Sequence, residues 1–138
     1  MKALLIAALA GVLVAMGAYV VARIGNSAMP IDCSSAQRVE IRMIEYEIVP
    51  NQLRFRRGLP YQLHLVNAGN EGHDFTAPDF FTSVQVKNTD ALNESGTSAF
   101  LQPEQTTDIY FIAPNSGLYA PRCADHDWAG MRATIVID

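Results

Sequence analysis

From Val39 to the C-terminus, apolar side chains recur at every second position in short runs broken by Gly, Pro and Asn. A period of two belongs to a strand with one face buried. Val39, Ile41 and Met43 alternate with Glu40 and Arg42, and Leu53 and Phe55 with Arg54 and Arg56. Tyr61, Leu63 and Leu65 alternate with Gln62 and His64. Further strands are expected around Val84 and Val86 and over Asp108–Ile112, Leu118–Cys123 and Ala133–Ile137. Between Met43 and Ile44 the phase slips by one residue, which predicts a bulge or a strand bend. No helical stripe occurs after residue 23, so the chain is expected to be all-β, an antiparallel sandwich or barrel.

The first 28 residues read as an address. Ala3 to Ala22 carry no charge, with Lys2 before them and Arg23 after. That pattern predicts a signal peptide cleaved after Ala22 or Ala28. At 20 residues the run is long enough to remain as a signal-anchor helix instead. Either form places the rest of the chain on the far side of a membrane, in the periplasm or an equivalent compartment. Residues 29–37 are polar, with one Pro and two Ser, and read as a short tether; residues 38–138 form the expected domain. Leaving Lys2 and Arg23 out of the count, 8 basic residues face 14 acidic ones, a net charge of −6. No nucleic-acid partner is expected from that balance.

The chemistry concentrates near the C-terminus. Cys123, His126 and Met131 have the spacing C-x2-H-x4-M, and His73 lies 50 residues before Cys123, behind the Gly-containing loop Asn67 to Gly72. Thiolate and thioether sulfurs favour copper, and imidazole suits both of its oxidation states. Two His and one Cys in a plane, with a weak axial Met, form the ligand set of a blue-copper electron-transfer site.

Gly72-His73-Asp74-Phe75, the segment Tyr119 to Met131 and the run from Phe111 to Tyr119 together resemble the cupredoxin family of small blue-copper proteins. The C-x2-H-x4-M spacing is similar to that of plastocyanin and pseudoazurin. The resemblance implies a Greek-key β-sandwich with one type 1 copper ion at one end. It implies His73, Cys123 and His126 as strong ligands and Met131 as the axial one. Those two proteins carry Asn after the first His, where this chain has Asp74. That Asn ties the two ligand loops together.

The expected function is an exported carrier of single electrons, not an enzyme. Its partners would be redox proteins such as basic cytochromes or a membrane oxidase or reductase. The membrane itself is a partner only if the N-terminal segment is retained. The alternative is a copper-binding or copper-delivery protein with the same ligands. Two blander readings stand beside these: a zinc site using Cys123, His126 and oxygens of Asp125 or Asp127, and a structural Cys33–Cys123 disulfide. A multicopper oxidase would need H-x-H pairs and a longer chain. Asp74, Asp79, Asp125 and Asp127 cluster in sequence near the ligands, as a solvated acidic end or as a docking face for a basic partner. Pro78, Phe80, Phe81 and Trp128 are core residues or an apolar rim around the edge of His126.

Overall fold

The computed structural model describes residues 28–138. The export segment expected over residues 1–28 lies, except for Ala28, outside the described residues. Among the described residues, no helix is long and apolar enough to cross a membrane.

Ten strands form: β1 (Gln37–Ile44), β2 (Glu47–Val49), β3 (Gln52–Phe55), β4 (Pro60–Asn67), β5 (His73–Thr76), β6 (Gln85–Val86), β7 (Ser98–Leu101), β8 (Thr106–Ile112), β9 (Gly117–Tyr119) and β10 (Thr134–Ile137). One sheet runs β2-β1-β4-β8-β6, a second β3-β10-β9, and β5 pairs with β7. The inward residues are those that the alternation selects. Ile41 and Met43 of β1, Leu63 and Leu65 of β4 and Ile109 and Phe111 of β8 are fully buried, and Leu53, Phe55, Ile135 and Ile137 of the second sheet nearly so. Phe55 of the second sheet meets Phe111 of the first edge to face, with ring centroids 5.1 Å apart. The two sheets therefore close on a single core, as the expected sandwich requires.

Several expectations are corrected. The phase slip at Met43-Ile44 is not a bulge: the chain reverses at Glu45-Tyr46, and β1 pairs antiparallel with β2, Met43 opposite Ile48. A two-residue turn changes the phase as a bulge would, because each arm keeps its own alternation. Two pairs are parallel, β1 with β4 and β3 with β10. The chain leaves the first sheet after β2, adds β3 to the second and returns as β4, so β4 arrives in the direction of β1. The strand expected over Leu118–Cys123 stops at Tyr119. A short helix, α1 (Pro78–Ser83), begins on a proline, which suits a first helical turn, and buries Phe80 and Phe81.

Residues 29–31, at the start of the expected tether, touch the β6 edge. Gln85 exchanges two hydrogen bonds with the Met29 backbone, and Lys87 donates to the Ile31 carbonyl.

On the outer face of the first sheet, His64 lies opposite Asp108 across β4 and β8, with Nδ1 2.7 Å from the carboxylate. The sequence offered no partner for this histidine; the strand register supplies one. Burial works to raise the Asp108 pKa, but the hydrogen bonds from His64 and Gln62 outweigh it and hold the carboxyl below its ordinary range. A carboxyl depressed by folding contributes stability that is complete above its unfolded value of about 3.9 and is lost as pH falls from there through the folded value. In urea melts, Asp108→Asn is therefore expected to lose less stability than the parent on acidification below about pH 4. Parallel declines would show that the pair carries no pH-dependent stability.

Candidate metal centre

Three donors converge at one end of the sandwich. His73 opens β5 and is fully buried. Cys123, also fully buried, lies one residue past a backbone bridge that joins Arg122 to Thr76 of β5. Thr76 and Arg122 exchange two backbone hydrogen bonds of 2.8 and 3.0 Å, so the two segments are stapled side by side. From Cys123 the chain forms a closed loop. The Cys123 amide donates to the Met131 carbonyl at 3.0 Å, and the Ala129 amide to the His126 carbonyl at 3.0 Å. Gly130 takes a left-handed conformation, φ 80°, which lets the loop turn back after the single helical turn Asp127–Ala129.

The Nδ1 atoms of His73 and His126 are 3.3 Å apart, and Cys123 Sγ lies 3.4 Å from His126 Nδ1 and 3.9 Å from His73 Nδ1. A triangle with those edges has its centre about 2.1 Å from each corner. That matches a metal–imidazole bond and falls slightly short of a metal–thiolate bond of about 2.3 Å. The spacing thus suits one ion held among the three donors, and His73, Cys123 and His126 form a group able to hold a metal. Met131 is fully buried at the far end of the same loop.

Every donor has a polar neighbour behind it. His73 Nε2 faces Glu45 Oε1 at 3.3 Å, and His126 Nε2 faces Glu71 Oε2 at 2.9 Å. In the tautomer with the proton on Nε2, each ring would donate to its carboxylate and keep a free Nδ1 lone pair on the side of the other donors. The Asp74 carboxylate accepts the Ala124 amide at 3.1 Å on each oxygen and also the Thr76 hydroxyl. Asp74 thereby ties the two ligand segments together, as the resembled Asn does. Its own amide points at Cys123 Sγ from 3.5 Å, and Oδ2 lies 3.5 Å from the same sulfur. Burial pushes the Cys123 thiol pKa up, and the Asp74 charge pushes it the same way, against the amides of Asp74 and His126.

The other expected neighbours divide. Trp128 is not core: it is 78% exposed. It lies 5.5 Å from the Tyr46 ring, which in turn lies 4.8 Å from the His126 ring. Asp127 faces Arg132 at 2.6 Å and Arg122 at 3.9 Å, so it is ion-paired rather than part of a zinc site. Cys33 and Cys123 are both free, and only Cys123 lies in the site.

No protein-family profile matches the sequence, and no curated protein matches it. Solved structures do. Auracyanin B matches with a TM-score of 0.57 and 21% identity, over 78% of this chain and 93% of the other. Auracyanin A of Chloroflexus aurantiacus, described as a "blue" copper protein, matches with a TM-score of 0.52 and 14% identity, over 73% of this chain and 98% of the other. A multi-copper oxidase from Pediococcus acidilactici matches with a TM-score of 0.56 and 15% identity, over 81% of this chain but only 28% of the oxidase. The chain has the cupredoxin fold. Within that fold, the ends of β5 and of the β9–β10 connection are where His73 and the Cys123–Met131 loop meet.

Sequence reasoning missed Glu45, Glu71 and Asn67. Asn67 is fully buried at the end of β4. Its Nδ2 donates to the Glu71 and Leu101 carbonyls at 2.7 and 2.9 Å, and its Oδ1 accepts the Gly69 amide at 2.9 Å. An Asn where an alternating strand gives way to a Gly-containing loop was the available signal. Replacing Asn67 with Ala would strand these partners and cost on the order of 3 kcal/mol. We expect a large fall in the denaturation midpoint of the metal-free N67A protein; an unchanged midpoint would mean that the loop is held by other contacts.

Proposed function

We propose that this protein is a mononuclear copper protein that carries single electrons between redox partners outside the cytoplasmic membrane. The observation that carries the reading is the triangle of one Cys sulfur and two imidazole nitrogens, with the Nδ1 atom of each imidazole turned toward the other two donors. Bound there, copper would supply a centre that alternates between Cu(I) and Cu(II). Cys123 would provide the strong sulfur donor, and His73 and His126 the two nitrogen donors. Met131, on the same closed loop, would approach as the weak axial ligand.

Rigidity favours electron transfer over copper delivery. A delivery site must pass its ion to a partner through accessible ligands. Here Cys123 and His73 are fully buried, and Asp74, Glu45 and Glu71 hold the ligand segments from behind. A donor set that keeps its shape needs little rearrangement when the charge of the ion changes. The blue-copper description of auracyanin A supports the same reading. Export rests on the uncharged run Ala3–Ala22 and the flanking Lys2 and Arg23.

Adding Cu(II) to the purified domain is expected to give one equivalent of binding and an intense visible band that ascorbate bleaches. Cys123→Ser should abolish that band, whereas Met131→Leu should retain it and change the reduction potential. A folded parent that took up copper without the band would sink the electron-carrier reading.

Partner contact is proposed at the face above His126, formed by the exposed Trp128 and the Tyr46 ring beneath it, with Glu71 and Asp125 beside them. Of the expected acidic cluster, Asp74 is buried and Asp127 is ion-paired, which leaves Asp79 and Asp125 exposed; Glu71, in contact with His126 Nε2, adds a further acidic group beside that face. Electron-transfer rates with a basic cytochrome should fall as ionic strength rises. A flat dependence would remove charge from the recognition.

A further inference from the structure

Both imidazoles of the proposed copper site rest on a carboxylate, and the two carboxylates belong to one assembly. Glu45, in the β1–β2 turn, accepts the backbone amides of Asn70 and Glu71 in addition to facing His73 Nε2. The loop it holds is the one from which Glu71 reaches His126 Nε2. The Glu45 carboxylate packs against Gly69, in the space a Cβ there would take.

We propose that Glu45 and Glu71 are paired positioning residues that fix both imidazoles with the proton on Nε2 and favour the dication over the monocation in the site. This rests on the copper reading. Two physical effects act together. A carboxylate hydrogen-bonded to the distal nitrogen raises the basicity of the ligating nitrogen and fixes its tautomer. Two negative charges, each one imidazole away from the ion, attract Cu(II) more strongly than Cu(I). The protein is therefore a ready electron donor among sites of its ligand type. The two residues are not equivalent. The Glu45 side chain is 21% exposed and the Glu71 side chain 51%, so water and salt screen Glu71 more. Loss of Glu45 also releases the amides that hold Glu71 in place, so the two effects are coupled rather than additive.

Glu→Gln substitutions separate charge from hydrogen bonding, because the Gln carbonyl still accepts from the amides and from Nε2–H. In the copper-loaded protein, E45Q is expected to shift the one-electron equilibrium about tenfold toward the reduced form, which is 59 mV for a one-electron couple. E71Q should give a smaller shift that shrinks further with salt. In the metal-free protein, 15N NMR should find His73 and His126 protonated at Nε2 in the parent, and a mixture of tautomers at His73 in E45A and at His126 in E71A. Equilibria unchanged within twofold in both Gln variants, with the visible band intact, would overturn the charge effect. Nδ1 protonation of either imidazole in the metal-free parent would overturn the positioning. If the parent gives no visible band, the copper reading fails, and the NMR result still decides the roles of Glu45 and Glu71.

Discussion

A sulfur and two nitrogens held within 3.3–3.9 Å of one another are the constraint around which this end of the molecule is organised. Electron-rich atoms do not gather in a dry pocket by attraction to each other. Burial leaves their lone pairs without water, and a buried polar atom without a partner costs about 1–3 kcal/mol. The gathering has to be imposed by the surrounding frame. Here that frame is the Thr76–Arg122 bridge, the closed loop from Cys123 to Met131 and the Asp74 carboxylate gripping the Ala124 amide. Each is a backbone-directed bond, so the positions are set by the fold and do not depend on an arriving ion to draw them in.

The sandwich supplies the rigidity that this frame needs. Phe111 is fully buried and stacks edge to face with Phe55 and Phe80, which ties both sheets and α1 to one centre. Among the described strands β5 pairs with β7 alone, apart from the Thr76–Arg122 bridge, yet it carries His73. It gains its fixed place from Phe75, fully buried in the core between His73 and the Thr76 bridge. This strand does not alternate between core and solvent: His73, Asp74 and Phe75 are all buried. Its buried aromatic anchors it, and its polar residues build the site.

How much of this the sequence disclosed depended on whether a partner lay near in the chain. Cys123, His126 and Met131 share one loop, so their spacing could be read directly, and His73 stood out by its place after a Gly-containing loop. The inward strand faces were equally legible, since alternation is a local property. Glu45 was not legible as a neighbour of His73. It is one of several Glu residues in an alternating run, and only the reversal at Glu45-Tyr46 brings it to the loop at residues 69–71. The same reversal was invisible because a turn and a bulge slip the phase alike. Trp128 left two readings open, core or an apolar rim around His126, and its exposed ring fits the second. A large apolar residue suggests core, but the single helical turn Asp127–Ala129 points its ring to solvent, with the indole N–H bonded only to the Asp125 carbonyl.

Asp74 gains a different meaning once Glu45 and Glu71 are placed. Taken alone, an acid in the position of a neutral amide is awkward, since its charge lies 3.5 Å from a sulfur that must ionise to bind metal. With the other two carboxylates it belongs to a pattern, one acid behind each strong donor: Asp74 behind Cys123, Glu45 behind His73 and Glu71 behind His126. Three carboxylates set around one small pocket repel one another, and the Asp74 charge also opposes ionisation of the Cys123 thiol. A cation of higher charge relieves more of that repulsion. The same acids that make the metal-free pocket costly therefore make its preference for the higher oxidation state strong. The tuning of the site and its affinity come from one set of charges.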